Sequence, residues 1–286
     1  MTRKLSLPVF LSVFLLLAGV PAAEGGDLHF ELGFGWSLVG PRMNASYLNR
    51  YQPILDPPDR FIASAADQTV RFKGKTGLGM NGFFNIMLTE QFGLQVLADY
   101  HRPGLGGAND PYDVEVQFLA FEPEIWASSY NWPDSSGNLT ETTFSLNALA
   151  RFRVADDLTL SASAGPSLFN IRGKAGHIGY TYFDLAFNGD EYVLTGETYR
   201  MVVDFGPTTK YGLNVGVEAA YEAFRSVVLA FDVRWFIAAA TDLELHVVED
   251  DVIARPIDEI EATIGLGTLS VNPSYFRAAI ALRYIF

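Results

Sequence analysis

Ten charged side chains, Glu31, Asp99, Arg151, Arg153, Lys210, Glu218, Asp232, Arg234, Arg277 and Arg283, are spread over almost the whole chain. Each stands in a run where apolar and polar residues alternate, and each takes a polar position of that run. Successive side chains of a strand point to opposite faces, so every run keeps its charges on one side. Four acids and six bases sharing one interior must pair or be hydrated, because an isolated buried charge is strongly unfavourable. The chemistry open to them is electrostatic: a structural plug of ion pairs, or a polar path for small solutes. Counted from the ends of the runs, Glu31, Arg151, Arg153, Glu218 and Arg283 fall in one half. Asp232 and Arg234 lie near the middle, and Asp99, Lys210 and Arg277 in the other half.

Other chemistries find less support. Gly77, Gly79 and Gly82 match the spacing of a dinucleotide fingerprint. That fingerprint needs a strand before it and a helix after it, whereas here a strand follows. Small residues filling a narrow interior account for these glycines better. His29, His101, His177 and His246 stand far apart, with no H-E-x-x-H pattern, so no metal site is expected. Cys is absent, which removes thiolate chemistry and disulfides together. No nucleophile elbow occurs around the serines. His101 with nearby Asp99 is the one pair that leaves an enzyme open.

The runs that must position the charges number eight: Asp27–Leu38, Leu78–Leu88, Phe92–His101, Thr143–Val154, Leu158–Leu168, Lys210–Tyr221, Val227–Ala239 and Phe276–Phe286. Each has the length of a tilted membrane-spanning strand. Their connections alternate. Thr89–Gln91, Ala155–Asp157 and Glu222–Ser226 are short, while 39–77, 102–142, 169–209 and 240–275 are long. One face carries Gly, Ser, Asn and the charges. The other carries Leu, Val and Ile with aromatics toward the run ends, among them Phe30, Trp36, Tyr100, Phe152, Tyr211 and Trp235. A large apolar face turned outward and aromatic girdles at both edges suit a barrel in lipid. The prediction is an all-β fold: an eight-stranded antiparallel transmembrane up-and-down β-barrel with short periplasmic turns and long extracellular loops. Closure makes the first and last runs neighbours, which predicts Glu31 within reach of Arg283.

The N-terminus reads as a separate piece. Arg3 and Lys4 precede an apolar run from Leu5 to Val20, followed by Pro21 and Ala22. This predicts a cleaved signal peptide over 1–22 and a barrel domain over 23–286. Without Arg3 and Lys4 the chain keeps 18 basic against 33 acidic residues. Net negative charge argues against nucleic acid as a partner.

The last run, Phe276-Arg-Ala-Ala-Ile-Ala-Leu-Arg-Tyr-Ile-Phe286, resembles the closing strand of bacterial outer-membrane β-barrels. In those families the terminal Phe signals to the barrel insertion machinery, a role that falls here on Tyr284 and Phe286. The whole mature chain resembles the broad family of small eight-stranded outer-membrane barrel proteins. The resemblance implies a Gram-negative cell envelope, an outer-membrane location, lipid and lipopolysaccharide as surroundings, and no cofactor. It leaves function open, because that architecture hosts anchors, adhesins, narrow porin-like channels and lipid A-modifying enzymes. The reading favoured is an envelope-structural or surface-interaction role through the loops, with passage of small or apolar solutes as the alternative. Loop 39–77 is net basic through Arg42, Arg50, Arg60, Arg71, Lys73 and Lys75, and loop 240–275 strongly acidic. Basic loop positions near the membrane suit lipopolysaccharide phosphates. Loop 102–142 carries Phe118, Phe121, Trp126, Tyr130 and Trp132. Strand-like stretches at Tyr112–Phe121 and Glu191–Val203 predict strands extended beyond the membrane around a cup for a small ligand or surface partner.

Overall fold

The computed structural model describes residues 28–286, apart from 42–43, 52–53, 57–60, 64–65, 110–111, 119–124, 131–134, 188–191, 225, 251–256, 259–260 and 262–267. Side chains are described for 28–40, 71–107, 135–176, 201–224, 226–249, 257–258, 261 and 268–286. The expected signal peptide lies outside these residues, as do the side chains of Arg42, Arg50, Arg60, Phe118, Phe121, Trp126, Tyr130, Trp132 and His177.

Eight strands form the wall: β1 (His29–Pro41), β2 (Gly77–Met87), β3 (Phe92–His101), β4 (Ser136–Ala155), β5 (Leu158–Phe187), β6 (Tyr192–Phe224), β7 (Val227–Ala238) and β8 (Tyr275–Ile285). Hydrogen bonding runs β4-β3-β2-β1-β8-β7-β6-β5, and β5 returns to β4, so the sheet closes on itself. Every wall pairing is antiparallel. The first and last strands meet with Glu31 opposite Ile285 and Gly33 opposite Arg283. Closure removes all free edges, which is what strands need in lipid, where no water satisfies a backbone group. The short turns lie at the end that holds the start of β1 and the end of β8. In the first, the Thr89 hydroxyl accepts hydrogen bonds from the Gln91 and Phe92 amides at 3.2 and 3.0 Å.

Alternation decides which residues face where. Phe30, Leu32, Phe34, Trp36 and Leu38 stand exposed on β1, with Trp36 at 63%, while Glu31 between them is at 0%. Leu213, Val215 and Val217 on β6 and Ile280, Leu282 and Tyr284 on β8 repeat the pattern. An apolar belt this continuous belongs against hydrocarbon. Phe30, Phe92, Phe152, Tyr221 and Phe286 flank it on the short-turn side, and Trp36, Tyr100, Tyr211 and Trp235 on the other.

Three strands outrun their predicted lengths. β4 has 20 residues, β5 has 30 and β6 has 33. The alternation continues past the membrane but reverses its chemistry. On β5 the inward residues change from Ser161, Ser163 and Ser167 to Phe169, Ile171 and Ala175, all buried, while the outward ones become Asn170, Arg172 and Lys174. Above the girdle the barrel is a conventional β-protein with a dry centre and a wet wall. Strands Asn44–Tyr51, Ala66–Gly74 and Gly104–Asn109 extend the wall beside β4, and Leu245–Asp250 pairs with β6. Phe72, Leu105, Leu139, Phe205, Leu243 and Val271 fill the centre, each at 1% exposure or less.

Candidate functional site

The candidate site is the lumen, and glycines on its face make room for it. A Cβ on Gly216 would lie 2.8 Å from the Arg234 guanidinium, and one on Gly79 would lie 2.7 Å from Ser37 Oγ and 3.1 Å from His101 Cβ. The Gly77–Gly82 pattern therefore lies within β2, with no helix after it; Gly79 serves the packing of the interior, and Gly82 faces outward.

Nearest the short turns, Glu31 is the node. Arg151 from β4 grips its carboxylate with two bonds of 2.6 and 2.7 Å. Asn85 donates to it at 2.8 Å, and Arg283 Nε lies 3.6 Å away. Arg283 also donates to Glu218 at 2.7 Å. At mid-depth Arg277 bridges Asp99 and Asp232. Arg234 donates to Asp232 at 3.1 Å, to Gln95 at 3.1 Å and to Ser163 at 2.7 Å, and also to Asn214. Asn214 passes the chain to Asn147 at 2.7 Å and Ser167 at 2.9 Å, and Asn147 donates to Gln95 at 3.0 Å. Bonds to charged groups are the strong ones, and in a low-dielectric interior they fix one another's geometry.

Toward the loops the network ends on His101. Its Nδ1 lies 3.6 Å from Asp99 and its Nε2 3.4 Å from Glu141, with all three side chains at 2% exposure or less. Tyr275 covers them. Its ring centre stands 4.3 Å from that of His101 and 4.3 Å from that of Phe236, on which it stacks. Its hydroxyl donates to Thr143 at 3.1 Å, and Phe169 packs edge-on at 6.3 Å. Beyond this lid lies the apolar centre of the extended wall. Ser37 Oγ, Asn81 Oδ1, Glu141 Oε1 and both His101 nitrogens are buried without a hydrogen-bond partner in the protein. Among the described residues no group of His and acidic side chains is arranged to hold a metal.

Of the predicted charges, Glu31, Asp99, Arg151, Glu218, Asp232, Arg234, Arg277 and Arg283 are buried and joined. Arg153 does not join them. It is exposed at the end of β4 and donates to the Asp156 carbonyl at 2.9 Å. Alternation assigns its face, but the lumen ends before the strand reaches it. Lys210 is half-buried and belongs to none of these ion pairs. Tyr284 and Phe286 stand on the lipid face, their rings 4.9 Å apart. The sequence reading placed the amides Asn85, Gln95, Asn147 and Asn214 on the polar face without joining them to the charges, and it missed Glu141. Glu141 keeps the parity of Thr143 and Ser145 on β4, a signal present two residues before the predicted start of that strand.

A closed ring of eight strands, an apolar belt turned outward and a polar lumen make this chain an integral outer-membrane β-barrel. No family model matches the chain, and no curated protein does. Among solved structures, the outer membrane protein OprG from Pseudomonas aeruginosa is similar at 12% identity, over 91% of this chain and 97% of that one, with a TM-score of 0.45. Ail, the attachment invasion locus protein of Yersinia pestis, is similar at 10% identity over 91% and 99%, with a TM-score of 0.37. The outer membrane protease OmpT from Escherichia coli is similar at 9% identity over 92% and 99%, with a TM-score of 0.39.

Proposed function

We propose that the protein is a closed barrel that anchors an extracellular structure in the outer membrane, with an envelope-structural or surface-interaction role. The observation that carries this reading is the filled lumen. Glu31 with Arg151, Arg277 with Asp99 and Asp232, and Tyr275 with Phe236 occupy successive levels with side chains that are almost fully buried. An eight-stranded interior is just wide enough for its own side chains. Export by cleavage after the 1–22 segment and insertion through Tyr284 and Phe286 belong to the same proposal. The trio Asp99, His101 and Glu141 has the residue types of an acid–base set, but its burial beneath Tyr275 keeps a substrate at the rim from touching it, which favours a non-enzymatic role.

A narrow channel is the second reading. It is favoured by the unpartnered polar atoms of Ser37, Asn81, His101 and Glu141, which offer hydration at one level of the lumen. Conductance of the refolded protein in a planar bilayer separates the two. We expect no stable steps from protein that runs as a folded, heat-modifiable band. Steps that change in Arg234→Ala or Asp232→Asn would overturn the closed-barrel reading in favour of transport.

A further inference from the structure

One side of the wall just above the aromatic girdle is basic. Arg102, Arg172, Lys73, Lys75 and Lys174 all point outward and are exposed. The strand pairing puts them in rows. Glu141 lies opposite His101 and Thr140 opposite Arg172, so Arg102, Thr140 and Arg172 share one level. One level higher, the Lys75 amide bonds the Gly104 carbonyl at 2.8 Å, Gly104 lies opposite Asn138, and Asn138 opposite Lys174. Neighbouring strands are about 4.8 Å apart, so Lys75 and Lys174 are about 14 Å apart across three spacings. Gly104 and Gly106 give the floor no side chains. Arg102 Nε donates to Asn138 at 3.3 Å, and Lys174 lies 3.9 Å from Glu249. Asp204 lies opposite Lys174, so with Glu249 it marks the edge of the basic patch, while Asp242 and Glu244 stand exposed away from it.

A groove of about 250 Å³ lies on the lipid face directly beneath this patch, lined by Phe34, Met80, Gly82, Ala98, Tyr100 and Thr142. Gly82 and Ala98 are cross-strand partners and form its floor, while Phe34, Met80 and Tyr100 stand up around them. Tyr100 is two residues below Arg102 on the same outward face. A row of cations above an apolar groove at the height of the membrane surface has the charge and polarity of an anionic lipid.

We propose that this wall seats a phosphorylated glycolipid of the outer leaflet, with its phosphates on Arg102, Lys75, Arg172 and Lys174 and one acyl chain over Gly82 and Ala98. The seat does not depend on whether the lumen conducts.

The test refolds the full mature chain into phosphatidylcholine vesicles with or without diphosphoryl lipid A. Lipid retained after mild detergent extraction is then counted by native mass spectrometry. Wild-type protein is expected to retain lipid A in preference to phosphatidylcholine. Combining Arg102→Ala, Arg172→Ala and Lys174→Ala is expected to weaken retention about fivefold per charge removed, and added salt is expected to mimic this loss. Gly82→Leu fills the groove, where an added Cβ would meet only the Gly33 carbonyl at 3.8 Å. It is expected to lower lipid A retention while leaving the binding of inositol hexakisphosphate unchanged, and Asp242→Asn away from the patch is expected to change neither. Equal retention by all variants overturns the seat. So does loss in the charge variant alone, with inositol hexakisphosphate displacing whatever is bound, which would assign the patch to a soluble polyanion. Should the triple variant fail to give a heat-modifiable band, Gly82→Leu and the salt dependence decide.

Discussion

Glu31 gathers Arg151, Asn85 and Arg283 at once, and it is the carboxylate that Arg151 grips, whereas Arg283 also holds Glu218 at 2.7 Å. Arg151 reaches it from three strands away and Arg283 from the adjacent strand. Replacing Glu31 by Leu takes from Arg151 the carboxylate it grips, in a space with little water, and leaves Arg283 with Glu218 alone, so Glu31→Leu is expected to destabilise the barrel by about 3–5 kcal/mol. The urea midpoint of the refolded protein in detergent measures this, and an unchanged midpoint would remove Glu31 from its place at the node. The sequence suggested Arg283 as its partner because the first and last runs meet on closure. It put Arg151 in the same half of the interior but did not pair it with Glu31, because that stronger grip crosses the lumen and alternation says nothing about what faces what across a barrel. Outside the membrane, His246 on the strand Leu245–Asp250 meets Glu261 at 3.0 Å. That hydrogen bond pushes the imidazole above its ordinary value. The contact is therefore fully present below the unperturbed histidine value of about 6.5 and is lost as pH rises through the elevated one. Titration by NMR is expected to show His246 above free imidazole, and Glu261→Gln is expected to bring it down.

Cross-strand pairs set the elements. Gly33 lies opposite Phe83, and a Cβ on Gly33 would stand 2.1 Å from the phenyl ring. The ring lies over the bare backbone of β1, covering a glycine that would otherwise weaken its strand. Gly33→Leu is expected to cost about 1–3 kcal/mol by overpacking, and Phe83→Ala in the same chain is expected to recover part of it. A thermal-unfolding series of the two single variants and the double variant checks the coupling. The eight elements were legible because alternation over a membrane-spanning length is a strong pattern. The extension of β6 was legible too, in the strand-like stretch Glu191–Val203, but the full extent of β4 and β5 was not, since a length rule stopped them where the outer face ceased to be apolar. The mark of continuation lies at Leu168 and Phe169, where the apolar residues move to the other parity. Reading polarity by face and not by run would have carried β5 on through Ile171 and Ala175, and β4 back to Glu141.

Taken whole, the barrel is two proteins on one set of strands. Within the membrane it is apolar outside and ionic inside, so its specificity comes from ion pairs and amides that must all be satisfied together. Above the membrane the order is reversed, and Phe72, Phe205 and Val271 pack as they would in any soluble β-protein. The boundary falls at Tyr275, whose hydroxyl meets Thr143 and whose ring meets Phe236. From Tyr211 at the girdle, β6 runs back to Tyr192 beside Phe187, about 60 Å of extended chain at ~3.3 Å per residue. A hairpin of that length is expected to carry its far end well beyond the lipid headgroups. An epitope inserted between Phe187 and Tyr192 is expected to be labelled on intact cells. The same epitope in the Thr89–Gln91 turn is expected to stay hidden until the outer membrane is opened, and the reverse result would turn the barrel upside down. Reach away from the membrane is thus built into the length of two strands, whatever the lumen beneath them does.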